Sequence, residues 1–137
     1  MKIGVAGSMQ FTEQMMDIVK QLEAMGHEVF MSKFAAHYVG KTDKQKEVQK
    51  LDDKYNHDAI REFWQPMQGA DALLVANFDK HGIKHYIGGN AFLEMGFAYV
   101  LGQKLYALNP LPDMPYYGTE IIAMRPIVID GDLSRIK

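Results

Sequence analysis

The chain has 137 residues, of which 47% are hydrophobic and 23% are charged, a composition typical of a globular protein rather than of a disordered or fibrous one. Fifteen basic and seventeen acidic residues give a formal net charge of -2, which argues against nonspecific nucleic-acid binding. The absence of cysteine excludes disulfides, thiolate metal ligands and a cysteine nucleophile. No apolar run approaches the roughly 20 residues of a membrane helix. We therefore expect one domain over residues 1–137, in the cytoplasm, with no nucleic-acid or membrane partner.

The beginning of the chain has the pattern of a β-α-β unit. A short apolar run at 2–7 predicts a buried strand, and residues 12–25 follow the apolar spacing of a helix with Thr12 as its N-cap. Residues 27–31 predict a second strand. Strands that alternate with helices indicate a parallel sheet covered by helices.

The most polar part of the chain, residues 33–57, follows this unit. Between Lys41 and Lys54 it holds five lysines, three aspartates and one glutamate. A mixed charge run of this kind is typical of a solvated face. We therefore expect a water-exposed helix on a mobile excursion between elements.

The second half of the chain returns to a regular alternation. Helical spacing at 57–68 precedes a continuously apolar strand at 72–77, the pattern of a strand buried on both faces. The later elements are a helix at 90–102, a strand at 105–108, a helix at 117–124 and a strand at 127–129. Together these elements predict an α/β fold, a three-layer sandwich around a five-stranded parallel sheet of the flavodoxin-like or Rossmann-like type.

Ligands on such a sheet bind beyond the carboxyl ends of the strands, where the strand order reverses. The segments expected at that edge are Gly7 to Phe11, His37 to Lys41, Asn77 to Asn90 and Asn109 to Tyr117. Ligand-binding residues are therefore to be sought in these four segments first.

The turn at Gly88-Gly89-Asn90 and the helix after it carry the clearest chemical pattern. The two glycines let a ligand approach the backbone, Asn90 can cap the helix, and the free N–H groups of the first turn form an anion site. Glu94 lies one turn further on among apolar and small residues, where it is either a partner of the helix dipole or a functional acid. Gly96 lies in mid-helix, where glycine costs roughly 1 kcal/mol, and so suggests close packing.

This region resembles the nucleoside 2-deoxyribosyltransferase superfamily, which also includes the nucleoside 5′-monophosphate N-glycosidases. The matching residues are Gly89-Asn90-x-x-x-Glu94-x-Gly96-x-Ala98, Gly102-Gln103-Lys104-Leu105-Tyr106, Ala70-Asp71-Ala72-Leu73-Leu74-Val75-Ala76 and Ile3-x-Val5-Ala6-Gly7-Ser8. The resemblance thus extends over nearly the whole chain.

The resemblance implies an N-glycosidic enzyme, either a hydrolase or a transferase, that acts on a nucleoside or nucleotide without a cofactor or metal. Glu94 would be the nucleophile that forms a covalent glycosyl-enzyme, as in a retaining glycosidase. Asp58 would protonate the leaving base, although it can also be a helix N-terminal carboxylate, and His57 can do the same proton work. The residues expected to bind substrate are Gly7, Ser8, Gly88, Gly89, Asn90, Asn77 and Tyr38.

Three positions depart from the family pattern. The first strand has no tyrosine, and Met9 follows Gly7-Ser8 where the hydrolases often have an arginine. The turn before Glu94 reads Ile87-Gly88-Gly89, where transferases commonly have an aspartate. His37, Tyr38 and Lys41 can supply stacking or charge, or belong to an ordinary surface loop. A non-catalytic nucleotide-binding or sensing module on the same fold is therefore the alternative function.

Two further expectations concern metals and assembly. His81 and His85 are four residues apart, but Gly82 between them argues against a helix, and we expect no metal site. The superfamily implies a homodimer or a higher homo-oligomer with shared sites. Aromatic residues support this expectation, because Tyr99 and Phe63 fall outside the inward-facing stripes of their helices.

Overall fold

The computed structural model describes residues 1–137 and contains five parallel strands in the order β2-β1-β3-β4-β5. The strands are β1 (Lys2–Ala6), β2 (Glu28–Phe30), β3 (Ala72–Val75), β4 (Lys104–Ala107) and β5 (Ile127–Val128). The helices are α1 (Thr12–Ala24), α2 (Asp43–Asn56), α3 (Ala59–Met67), α4 (Gly89–Val100) and α5 (Gly118–Ala123). This architecture confirms the predicted α/β class and the five-stranded parallel sheet.

The strand order reverses beside β1, which pairs with β2 on one side and with β3 on the other. The β1–β3 register places Ile3 opposite Ala72 and Ala6 opposite Val75. Both strands therefore end at the same level, and the turn after β1 lies beside the segment after β3. A flavodoxin-like sheet binds its ligands at this switch point.

Alternate residues of β3 face two separate hydrophobic clusters. Ala72 and Leu74 pack with α1 and the C-terminal segment, whereas Leu73 and Val75 pack with α3, α4 and α5. All four side chains are at most 1% exposed, as expected for a central parallel strand. Helices on both sides of the sheet agree with the predicted three-layer arrangement.

The polar segment forms α2, and two of its polar side chains are buried. A capping box starts the helix, because Thr42 accepts a hydrogen bond from the N–H of Gln45 and the Gln45 side chain accepts one from the N–H of Thr42. Lys46 is 6% exposed and Asp53 is 1% exposed. The interpretation of α2 as a solvated helix is thus correct for most of its surface and wrong for these two positions.

Two local predictions need correction. Thr12 is the first residue of α1 rather than its N-cap, which is Phe11, and the buried Thr12 hydroxyl donates to the carbonyl oxygen of Met9 at 2.5 Å. Phe63 is 6% exposed and its ring lies 5.6 Å from that of Phe30, so it is a core residue. Tyr99, in contrast, is 55% exposed as predicted.

None of the five helices combines the length and the apolar character that crossing a bilayer requires.

Candidate functional site

A cleft lies at the carboxyl end of β1, between the sheet edge and helices α2, α3 and α4. Its cavity volume is only about 40 Å³, room for a few water molecules. Its polar lining residues are Ser32, Tyr38, Lys50, Asp53, Lys54, Asn90 and Glu94. Apolar side chains, among them Met9, Met15, Met31 and Phe63, form most of the remaining wall.

Glu94 lies on α4, one turn after the Gly88-Gly89-Asn90 turn, and lines this cleft. Its carboxyl group has no hydrogen-bond or ion-pair partner anywhere in the chain, although the residue is partly buried. Its helix neighbours Ala91, Met95 and Ala98 are at most 3% exposed and hold α4 against the sheet. The packing of α4 therefore positions an unpartnered carboxyl group in the lining of the cleft, next to its apolar residues.

Burial raises the pKa of the Glu94 carboxyl from its ordinary value near 4.5 to about 8. Removal from water destabilises the carboxylate, and no neighbouring cation or donor offsets this effect. At neutral pH the group is thus mostly protonated in the free protein. Strong pKa perturbation of a carboxyl group in a cleft is characteristic of functional sites.

Asp53 is the second carboxylate of the cleft, and the sequence analysis did not single it out. It accepts hydrogen bonds from the Tyr38 hydroxyl at 2.6 Å and from the Gln49 side chain at 3.0 Å, while His37 Nδ1 lies 3.2 Å away. Tyr38 is 2% exposed, and burial together with the adjacent Asp53 carboxylate raises the pKa of its phenol. The predicted substrate residue Tyr38 therefore lies in the cleft and orients Asp53.

One sequence signal would have pointed to Asp53. Lys46 and Asp53 are seven residues apart, which places them on the same face of α2, and Gln49 lies between them on that face. A polar stripe with helical spacing that includes Gln49 can face the protein as well as the solvent. The partner residue Tyr38 is 15 positions away, so its contact with Asp53 is visible only in the structure.

A basic region adjoins the cleft at the turn after β1. Lys50, Lys54 and Lys80 line it together with Ser8, and the Lys80 ammonium group donates to the Ser8 hydroxyl oxygen at 2.7 Å. Burial lowers the pKa of both Lys54 and Lys80, and the nearby Lys50 charge lowers each further. The predicted binding residue Ser8 thus lies among positive charges that come from α2 and from the loop before α4.

The three predicted glycines, Gly7, Gly88 and Gly89, also line this basic region. A Cβ atom on Gly7 would come within 2.9 Å of the Ala76 carbonyl oxygen, so only glycine allows this turn to pack against β3. Gly88 is the N-cap of α4 and Gly89 is its first residue. Asn90 therefore lies in the first turn instead of capping it, and its side chain faces the cleft without a hydrogen-bond partner.

Two predicted residues are not brought to the cleft. Asp58 lies at the start of α3 with its side chain 53% exposed and paired with Arg61 at 2.8 Å. Asn77 is completely buried, but its amide groups bind the backbone of Asn109 and Pro110 and so join the ends of β3 and β4. Asn77 has a structural role here, and Asp58 does not line the cleft that contains Glu94.

Asp52, Asp53 and His57 have ligand atoms within 4.8 Å of one another, the one grouping with metal-binding geometry. The His57 ring lies 3.3 Å from the exposed Asp52 carboxylate, and Asp53 is already engaged by Tyr38 and Gln49. His81 and His85, in a loop with left-handed backbone at both residues, take no part in it. These existing contacts leave the grouping without a free set of ligands.

Comparison with protein-family models, with curated proteins and with solved structures finds no match to this chain.

Proposed function

We propose that the protein cleaves or transfers the N-glycosidic bond of a nucleoside or nucleotide, with Glu94 as the nucleophile. The observation that carries this proposal is an unpartnered carboxyl in a cleft with a largely apolar wall, at the switch point of the sheet and beside a glycine turn and a helix N-terminus. A group without internal partners is available to a reacting atom. An apolar surround strengthens its attraction to a developing positive charge.

The reaction follows the retaining glycosidase scheme. A carboxylate oxygen of Glu94 attacks C1′ of the sugar, the bond from C1′ to the base nitrogen breaks, and its electron pair leaves with the base. The resulting glycosyl ester is opened by water, which yields free sugar, or by a second base, which yields a new nucleoside. Roughly one tenth of Glu94 is ionised at pH 7 in the free protein, so the reactive form increases toward pH 8.

The leaving base needs a proton, and we assign its delivery to Asp53 in place of Asp58. Only Asp53 of the two lines the cleft. His37 Nδ1 lies 3.2 Å from Asp53 and its side chain is 45% exposed, so it can pass protons between Asp53 and bulk water. The buried Tyr38 hydroxyl holds the carboxylate in place for this exchange.

The alternative function, a non-catalytic nucleotide-binding module, has one observation in its favour. No residue of this chain orients or ionises Glu94, and the cavity volume of the cleft is only about 40 Å³. A neutral acid can serve as a hydrogen-bond donor to a bound ligand without reacting with it. Binding without bond cleavage would be the behaviour of such a module.

A panel of nucleosides and nucleoside monophosphates, with free base detected by chromatography, separates the two functions. We expect base release by the wild-type protein, none above background by Glu94→Gln, and unchanged release by Glu23→Gln, an exposed glutamate of α1 without partners. Ligand binding by calorimetry with no base release from any member would favour the binding module instead.

We also propose a homodimer that forms through α4. Leu93 and Val100 are 43% and 85% exposed, and Gly96 lies between them on the same face. A Cβ atom at Gly96 would meet no atom within 4 Å apart from its chain neighbours and the backbone of its own helix, so packing within the monomer does not require glycine there. An exposed apolar stripe with a central glycine suits close approach by the α4 helix of a second copy.

A further inference from the structure

The Glu94 cleft is too small, as it stands, to admit an organic ligand of ordinary size. Its cavity volume is about 40 Å³, whereas sites for small organic ligands measure about 300 to 1,000 Å³. One wall of the cleft therefore has to move before such a ligand enters. The packing of each wall decides which of them is free to do so.

The wall formed by the sheet and α4 is held by the hydrophobic core. Val5 and Ala6 of β1 line the cleft and are at most 3% exposed. Met95, next to Glu94 on α4, packs in one cluster with Leu73 of β3. Movement of this wall would expose core side chains to water, which is unfavourable.

The opposite wall comes from residues 32–57, which lie between β2 and α3 and contain α2. No backbone-to-backbone hydrogen bond joins this segment to the rest of the protein. None of its residues belongs to either hydrophobic cluster, and Tyr38 is its only buried hydrophobic side chain. Segments with few buried apolar contacts open at a low cost in free energy.

Contacts within the segment nevertheless keep it ordered. Asp53 accepts hydrogen bonds from the Tyr38 hydroxyl at 2.6 Å and from the Gln49 side chain at 3.0 Å. The capping box of Thr42 and Gln45 fixes the start of α2. All these contacts lie inside the segment and would persist if it moved as one body.

Glu13 on α1 binds this segment to the rest of the protein. Its carboxylate accepts hydrogen bonds from the Lys46 ammonium group at 2.7 Å and from the Gly40 N–H at 3.1 Å. Lys46 also donates to the Gln10 carbonyl oxygen at 3.0 Å. At the other end of α2, Asp58 has a left-handed φ of 50° and separates α2 from α3, a position suited to a hinge.

We propose that residues 32–57 form a hinged lid over the Glu94 cleft, held closed by the contacts of Glu13. Opening of the lid admits the ligand, and closing excludes water and returns Asp53 to the cleft. The catalytic role of lid closure rests on the proposed function, but the lid itself does not.

Electron paramagnetic resonance between two spin labels tests the lid without any catalysis. The chain has no cysteine, so Lys44→Cys on the lid and Glu23→Cys on α1 place both labels at exposed positions. Dilution with unlabelled protein restricts the measurement to distances within one chain. We expect one narrow distance distribution in the otherwise wild-type protein. Glu13→Gln should add a second population, with the ratio of open to closed lid about tenfold higher or more, because a charge-assisted contact is lost.

Two further variants control this experiment. Asp17→Asn is the matched control because Asp17, one turn further along α1, binds only Gln21 of the same helix, and it should leave the distance unchanged. Lys46→Gln removes the same ion pair from the lid side and should produce the same second population as Glu13→Gln. Circular dichroism spectra verify that each variant is folded.

The outcomes separate the lid from the proposed function. One narrow distance in all variants would overturn the lid, and base release by the wild-type protein would then leave the proposed function intact. An equal second population in Asp17→Asn would show that the contacts of Glu13 do not hold the lid closed. A second population in Glu13→Gln and Lys46→Gln, with no base release from any nucleoside, would leave the lid intact and overturn the proposed function.

Discussion

At the scale of single residues, Glu94 combines properties that favour function over stability. Its carboxyl lines the cleft without a hydrogen bond or an ion pair, and its partial burial raises its pKa to about 8. A residue kept only for the fold would be expected to find a partner or be replaced by an apolar side chain. The unfavourable environment has consequences that can be measured separately for stability and for rate.

Glu94→Gln should stabilise the protein at pH 8 and have little effect at pH 4. Between pH 4.5 and 8 the unfolded chain loses the Glu94 proton while the folded protein keeps it, so the wild-type free energy of unfolding falls as pH rises. The full difference corresponds to about 3 to 5 kcal/mol at pH 8. Urea unfolding at both pH values measures it, with Glu23→Gln as the control. Equal effects of Glu94→Gln at pH 4 and pH 8 would show that the folded-state pKa is not raised.

The rate of cleavage of a nitrophenyl glycoside, whose leaving group needs no proton from Asp53, should rise with pH through an apparent pKa near 8. Only the ionised Glu94 can attack C1′, and kcat/KM reports the ionisation of the free enzyme. The measurement is a pH profile of kcat/KM between pH 5 and pH 9, about the range over which this carboxyl ionises. A profile that instead falls through the same pKa would mean that protonated Glu94 is the active form, as an acid rather than a nucleophile.

The site was predictable from sequence only where it is local in the chain. Gly88, Gly89 and Glu94 form one continuous pattern at a helix start, and the structure places Glu94 in the cleft and the two glycines in the basic region that adjoins it. Asn77 was expected to bind substrate, but residues 32 and 33 positions away satisfy its side chain. Asp58 was expected in the site from the family resemblance, yet its side chain is 53% exposed and paired with Arg61 at the start of α3.

At the scale of elements, α2 determines the polar half of the site. Two of its side chains are anchored to the rest of the protein through polar contacts, since Lys46 binds Glu13 at 2.7 Å and the Gln10 carbonyl oxygen at 3.0 Å, and Asp53 binds Tyr38. No hydrophobic residue of α2 is buried. The charged composition of α2 therefore predicted a helix exposed on all sides. The burial of Lys46 and Asp53 could not be predicted from it, because their partners lie in distant parts of the chain.

Asp53→Asn should slow the release of a natural base more than the release of a leaving group that needs no proton. The amide keeps the shape and the contacts with Gln49 but cannot carry a proton between His37 and the base. We expect a loss of roughly a hundredfold with a nucleoside or nucleotide and of less than about tenfold with a nitrophenyl glycoside. Parallel kcat measurements on the two substrates provide the comparison. Equal losses on both would indicate that Asp53 only supports the structure of the cleft.

At the scale of the whole molecule, the sequence was sufficient to predict the sheet. Apolar runs and alternating helices identify five strands, and the observed order β2-β1-β3-β4-β5 places the reversal of strand order beside β1, where Gly7 and Ser8 begin the turn. The α4 helix then covers β3 and β4 and presents Leu93 and Val100 to solvent. The exposed face belongs to the helix that carries Glu94, so a dimer through α4 would bring two sites close together.

Gly96→Ala tests the proposed dimer, because the substitution should stabilise a monomer but weaken a dimer that packs through α4. In a monomer the added methyl group meets nothing within 4 Å, and alanine should stabilise the helix by about 1 kcal/mol. In a dimer that approaches closely at Gly96, the methyl group separates the helices, and we expect a weaker dimer by analytical ultracentrifugation. A wild-type protein that sediments as a single chain at micromolar concentration, with a stabilised Gly96→Ala variant, would contradict the dimer.

Mass spectrometry of the protein quenched in acid during turnover tests the central claim most directly. The retaining scheme requires a sugar, or a sugar phosphate, bound as an ester to the reacting carboxylate. We predict that digestion of the quenched wild-type protein places this added mass on Glu94, and that Glu94→Gln carries none under the same conditions. Base release by wild-type protein without any adduct, together with continued release by Glu94→Gln, would contradict the assignment of Glu94 as the nucleophile.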